Sequence, residues 1–234
     1  MTDSEAESSD ERTFTAKGLA TRERIVEAAA MLMYSGGVAG TSWEDVQKGA
    51  GVSASQLNHY FGDKQGLVRA VIAHQTRAIL ESQQPLLASL DSLEALRAWR
   101  DLLVEGRRQI QCQGGCPLGS LAGELFEAHP GCREDLVDGF DRWEGAIRDG
   151  LQAMYERGDL RRSADPDRLA TALLAAVQGG LVLSQVRRDV DPLEAALDTI
   201  LEHIASLTTK RRSEPRQLEG SEGPLWQERS EHRT

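Results

Sequence analysis

Residues 41–64 read TSWEDVQKGAGVSASQLNHYFGDK, and this stretch decides the fold. Its spacing predicts two short helices around a tight turn. The first runs from Trp43 to about Lys48, the turn is Ala50-Gly51-Val52, and the second runs from Ala54 to about Tyr60. Thr41 and Glu44 have the separation of a capping box, as do Ser53 and Gln56. Gly51 suits the left-handed backbone position of a sharp turn. Val46, Val52 and Leu57 supply apolar contacts that hold the two helices at a fixed angle. The pattern is a helix-turn-helix, whose second helix is shaped to enter a DNA major groove.

The flanks extend the unit. Thr21–Ser35 places Ile25, Ala28, Ala29, Leu32 and Met33 at helical spacing, and Gly36-Gly37 is expected to stop that helix. After the unit, Asp63 is a fitting N-cap for a helix from Gln65 to about Ser82.

These features resemble the N-terminal domain of TetR-type transcriptional regulators. The shared residues are the R-x-x-I-x-x-A-A pattern from Arg22 to Ala29, Gly37, Thr41-Ser42, Ala50-Gly51-Val52-Ser53, Leu57, Tyr60-Phe61, Lys64, Leu67 and Val71. They cover residues 20–72. The resemblance implies an all-α chain of about nine helices, with a helix-turn-helix domain at 19–64 and a ligand-binding and dimerisation domain at 65–207. On the recognition helix, Ser53, Ala54, Ser55, Gln56, Asn58 and His59 cover the side offered to DNA. Gln56 and Asn58 are of the type that pairs with adenine, and Ala54 with a thymine methyl. Thr41, Ser42, Trp43, Tyr60 and Lys64 stand at helix ends, where side chains meet phosphate. Asn58 departs from the family, where Tyr is usual, so the operators of relatives do not transfer.

Composition fits an intracellular regulator. The net charge is −10, but its distribution is uneven: residues 1–16 carry −4 and residues 17–74 carry +1. Lys17, Arg22, Arg24, Lys48 and Lys64 remain able to face phosphate, while an acidic body limits non-specific DNA binding. The N-terminus is polar and acidic, unlike a signal peptide. No apolar run is read as a membrane span. Three cysteines without an export signal point to reduced thiols in a cytoplasm. Residues 1–18 and 208–234 lack apolar periodicity and are expected to be disordered tails.

Helices are expected at Asp91–Gln111, Leu118–Ala128, Glu134–Arg157, Asp167–Val186 and Asp191–Leu207. The resemblance implies that the last two form a four-helix bundle across a two-fold axis. Leu174, Val177, Leu181, Leu193, Leu197, Ile200 and Ile204 are the candidate interface residues. It also implies a small-molecule site between the linker helix and the helices at 91–157. Trp99, Leu103, Phe126, Phe140, Trp143 and Met154 favour an apolar or aromatic ligand there, although such stripes also build ordinary cores. Arg107, Arg108 and Gln178 are candidate polar anchors.

Residues 111–125 (QCQGGCPLGSLAGEL) put Cys116 at a helix start, where the dipole favours thiolate. The G-C-x-x-G run looks like one in a subset of TetR-type regulators, some of which sense electrophiles or oxidants. Cys116 therefore stands as a candidate ligand-binding or sensor residue, with Cys112 as resolving thiol. The plainer reading is a small apolar side chain in a tight turn. Zinc held by Cys112, Cys116, His129 and Cys132 is excluded by the intervening helix, which separates the pairs by about 16 Å. A cysteine enzyme using Cys116 with His129 meets the same separation, and no Gly-rich phosphate loop or paired-carboxylate constellation is present. The expected function is a cytoplasmic repressor without cofactor, metal or catalytic residues. It would bind operator DNA as a homodimer and be released by a small apolar or aromatic effector.

Overall fold

The computed structural model describes residues 14–126 and 129–209. The tails at 1–13 and 210–234 lie outside the described residues. Regular structure among the described residues is helical, with a single antiparallel bridge between Leu160 and Thr208.

The head comprises α1 (Ala16–Gly40), α2 (Trp43–Ala50) and α3 (Ala54–Phe61). Residues 14–18, expected in the N-terminal tail, are part of the head. Thr15 caps α1 by accepting from the Gly18 N–H, and Phe14 packs on the rings of His59 and Tyr60 at 5.9 and 5.1 Å. Gly36-Gly37 does not end α1. Gly37 turns to φ +77°, a conformation open to glycine, and the chain resumes a helical course to Gly40. At the C-terminus, Thr209 donates to the backbone oxygens of Gly158 and Asp159, so the ordered chain passes the expected boundary at 207.

Helix α4 (Lys64–Ser82) belongs to both halves. It packs on α1 and α3 of the head and on α6 and α7 of the body. Arg77 and His74 reach Glu23 on α1 at 2.6 and 3.2 Å, and Arg69 makes a two-bond pair with Asp135 on α7 at 2.7 and 3.2 Å. The body continues with α5 (Leu93–Gln109), α6 (Pro117–Leu125), α7 (Arg133–Glu156), α8 (Pro166–Arg187) and α9 (Asp191–Ser206).

By length and composition α8 is apolar enough to cross a membrane, contrary to the expectation that no such run exists. Here it is a core helix packed between α7 and α9. Gly180 allows the α8–α9 contact, because a Cβ there would lie 2.8 Å from the Leu193 Cα. Ser184, fully buried, accepts from the Leu193 N–H, which it shares with the Val190 carbonyl, and so ties α8 to the start of α9.

One buried polar residue organises the middle of the body. Gln83, just past α4, is 4% exposed. Its Oε1 accepts from the indole N–H groups of Trp99 at 2.8 Å and Trp143 at 3.2 Å, and its Nε2 donates to the Ile79 carbonyl. One amide thus satisfies two buried indoles from α5 and α7. Replacing Gln83 with Leu keeps the volume and strands both N–H groups, at ~1–3 kcal/mol each. The expected outcome in urea unfolding is a loss of roughly 2–6 kcal/mol, with the m-value unchanged.

Candidate nucleic-acid interface

The two short head helices are locked at their ends. Ser42, rather than Thr41, caps α2. The Asp45 N–H donates to Ser42 Oγ at 3.1 Å, and the Ser42 N–H and hydroxyl donate to the Asp45 carboxylate at 2.9 and 2.6 Å. These bonds hold the Asp45 carboxyl below its ordinary pKa. The expected Thr41–Glu44 box is therefore displaced by one residue. Thr41 is 3% exposed, and its hydroxyl donates to the Gly37 carbonyl at 2.8 Å. It cannot reach a phosphate and is removed from the candidate contacts.

Gly51 ends α2 at φ +63°, and its N–H reaches the carbonyls of Gln47 and Lys48. Ser53 and Gln56 form the second box, at 3.2 and 3.0 Å. This engages the Gln56 Oε1 in the cap, which leaves only its amide nitrogen for a base edge. Leu57 is fully buried and Phe61 nearly so, fixing the inner side of α3. Ser53, Ala54, Ser55, Gln56, Asn58 and His59 are exposed on the other side, while Tyr60 is half-buried beside Phe14. Trp43 is half-buried and packs against the core, which places it at the edge of this surface.

The five candidate cations separate into two groups. Arg24 donates to the Ala50 carbonyl at the end of α2, Arg22 lies 5.3 Å over the Phe61 ring, and Lys48 pairs with Glu44 at 2.8 Å. Arg22 and Arg24 are tied into the head, whereas the Lys48–Glu44 pair lies at the surface and leaves the ammonium open to solvent. Lys17 and Lys64 are exposed and have no ion pair among the described residues. They flank the exposed side of α3 as the cations best available to phosphate.

The candidate effector residues do not converge as expected. Trp99, Trp143 and Met154 are buried core residues, the two indoles being tied to Gln83. Phe126 is 48% exposed, with the Arg133 guanidinium over its ring, because α6 ends at Leu125 and turns it outward. Leu103 and Phe140 are half-buried at the core edge. Gln178 lies against α6, where its side chain reaches Cys116. Arg108 pairs with Glu194, and Arg107 grips the Gln113 and Gly114 carbonyls just before α6.

Cys116 caps α6, with the Gly119 N–H 3.4 Å from its sulfur. Its pKa moves up, contrary to the expectation from the helix dipole. Burial pushes it up and outweighs the Gly119 N–H, the Gln178 side chain and the Arg107 charge, which pull it down. A neutral, enclosed thiol is a poor nucleophile. All three cysteines are free and buried.

The candidate dimer residues also need reassignment. Leu174, Val177, Leu181, Leu193, Leu197 and Ile204 are 0–7% exposed within a single chain and hold α8 and α9 to their own protomer. Ile200 is half-buried. The outward side of α8 instead carries Ala175, Gly179, Val182 and Val186, all exposed, with Val182 at 55% and Val186 at 77%. Their spacing of four, three and four residues makes one stripe along the helix. That spacing is visible in the sequence, but the larger leucines on the inner side obscure it.

Two features join the head to α6. The Tyr34 hydroxyl donates to the Gly115 carbonyl at 3.0 Å, and the Val38 N–H, freed by the Gly37 turn, donates to the Glu124 carboxylate at 2.7 Å. Neither was anticipated from sequence.

Known proteins share both halves. Residues 25–71 match the family model for bacterial regulatory proteins of the tetR family, and residues 92–200 match the tetracyclin repressor-like C-terminal domain. An uncharacterized HTH-type transcriptional regulator in the lacX 3' region of Lactococcus lactis subsp. lactis is 29% identical over 188 residues, covering 77% of this chain and 91% of the relative. The HTH-type transcriptional repressor DhaR of Mycobacterium sp. (strain GP1) is 23% identical over 189 residues, covering 80% and 93%. A TetR transcriptional regulator from Chloroflexus aurantiacus J-10-FL superposes with a TM-score of 0.71 at 27% identity, covering 83% of this chain and 98% of that one. With a matched helix-turn-helix head and a matched helical body, this chain belongs to the TetR family and is a DNA-binding transcriptional regulator.

Proposed function

We propose that the protein is a cytoplasmic, homodimeric repressor that reads its operator with α3 and is released by a small apolar or aromatic effector. The observation that carries the reading is the exposed side of α3, with Ser53, Ala54, Ser55, Asn58 and His59 presented by a helix anchored through Leu57 and Phe61. The repressor DhaR among its relatives supports the sign of regulation. The tetracyclin repressor-like match of the body and the half-buried Leu103 and Phe140 support a small apolar effector. Such an effector would shift α6, and α6 holds α1 through Gly115 and Glu124. Turning α1 rotates the head and changes the separation of the two recognition helices, which costs affinity for a fixed operator.

A gel-shift on the DNA upstream of the protein's own gene tests the reading. A salt-dependent complex that survives unrelated competitor DNA is expected; equal competition by any DNA would sink it. On a randomised site library, Asn58→Ala should relax preference at one position, at a cost of ~1–3 kcal/mol. Gln56→Ala should act mainly by removing the cap, with a stability loss of about 1 kcal/mol and a smaller change in preference. Lys64→Ala should weaken all sequences alike and reduce the salt slope by about one unit.

Dimerisation through the α8 stripe gives a separate expectation. Val186→Asp lies on the exposed side and should yield a folded monomer in sedimentation, with operator binding lost. Leu197→Asp buries a charge inside the protomer and should unfold the chain instead. A stable Val186→Asp dimer would move the interface off this stripe.

A further inference from the structure

A cavity of ≈ 110 Å³ lies at the joint between head and body. Val38 and Ala39 line it from the end of α1, Lys64, Gln65 and Val68 from the start of α4, and His129 and Cys132 from the turn leading into α7. Val38, Val68 and Cys132 are 1–4% exposed and make an apolar floor. An apolar cavity of about 150 Å³ holds benzene, so this one accommodates roughly three or four carbons.

The mouth has a different character. Lys64 and His129 are exposed there, and Lys64 has no ion pair among the described residues. None of the residues that line the cavity is a carboxylate. An apolar floor of this size beside the Lys64 ammonium is complementary to a short alkyl chain ending in an anion.

We propose that this joint binds a short-chain monocarboxylate, with the alkyl chain against Val38, Val68 and Cys132 and the carboxylate on Lys64. Bound there, the anion occupies the ammonium that the operator phosphate would use, so ligand and DNA compete. That competition rests on the reading of Lys64 as a phosphate contact, whereas the binding itself does not.

The test is an NMR titration of the full chain with butyrate, butan-1-ol and sulfate at constant ionic strength. Butyrate should shift the Val38, Ala39 and Val68 signals saturably in the millimolar range. Butan-1-ol should bind at least about tenfold more weakly, because it lacks the charge. Sulfate should leave the Val68 methyl signals unmoved. Lys64→Met keeps the apolar stem and should reduce butyrate to the level of the alcohol. Ala39→Leu fills the mouth and should abolish the shifts while a dispersed spectrum reports a folded protein.

Absent or non-saturable shifts overturn the proposal. So do equal binding of acid and alcohol, a Lys64→Met variant that binds like wild type, and an Ala39→Leu variant that still binds. In a parallel gel-shift, butyrate should weaken the wild-type DNA complex and leave the Ala39→Leu complex unchanged. Butyrate binding with unaltered DNA affinity would establish the site and remove Lys64 from the phosphate contacts.

Discussion

An eight-residue helix has no independent stability in water, yet α3 must be rigid to read DNA. The structure meets this constraint from both sides. Reciprocal caps at Ser42–Asp45 and Ser53–Gln56 satisfy orphan N–H groups that a short helix would otherwise leave to solvent. Leu57 is anchored in the core shared with α1 and α4, and Arg24 ties the last carbonyl of α2 to α1. The outward side of α3 can be polar because its inward side is committed. The same commitment ties Arg22 and Arg24 into the head.

The second organising feature is the junction around Gly37. Its left-handed turn interrupts α1 and releases the Val38 N–H, which Glu124 accepts from α6. Three residues earlier on the other side of the kink, Tyr34 reaches the Gly115 carbonyl. The end of α1 is therefore held by the body at two points. The loop before α6 is also gripped by Arg107 from α5 and by Arg188 at the end of α8. On the proposed function, a displacement of α6 would reach α1 through these bonds, a short physical route from body to head.

Much of this architecture was legible in the sequence, where the signals are local. Caps, turn glycines and apolar periods placed the helices of the head and body within a few residues. The capping register slipped because Thr41-Ser42 faces Glu44-Asp45, and either pair has the right spacing. Only burial of Thr41 against Gly37 decides between them. The dimer residues went astray for a related reason. Helix α8 is apolar on nearly every side, so its leucines mark burial without saying whether the burial is within or between protomers. The indoles of Trp99 and Trp143 were read as ligand contacts because their shared partner, Gln83, is distant in sequence from both. For Cys116 the dipole argument had the right sign for its own contribution, and desolvation, invisible in sequence, was the larger effect.

On the proposed function, two copies of α3, paired through α8, enter successive major grooves on one face of the duplex. Hydroxyl-radical footprinting of the promoter beside the gene tests it most directly. The account predicts two protected patches about 34 Å apart, roughly one helical turn, related by a two-fold axis in the sequence. Both patches should vanish together with Val186→Asp. A single unpaired patch, or two patches that persist in a monomeric variant, would contradict it.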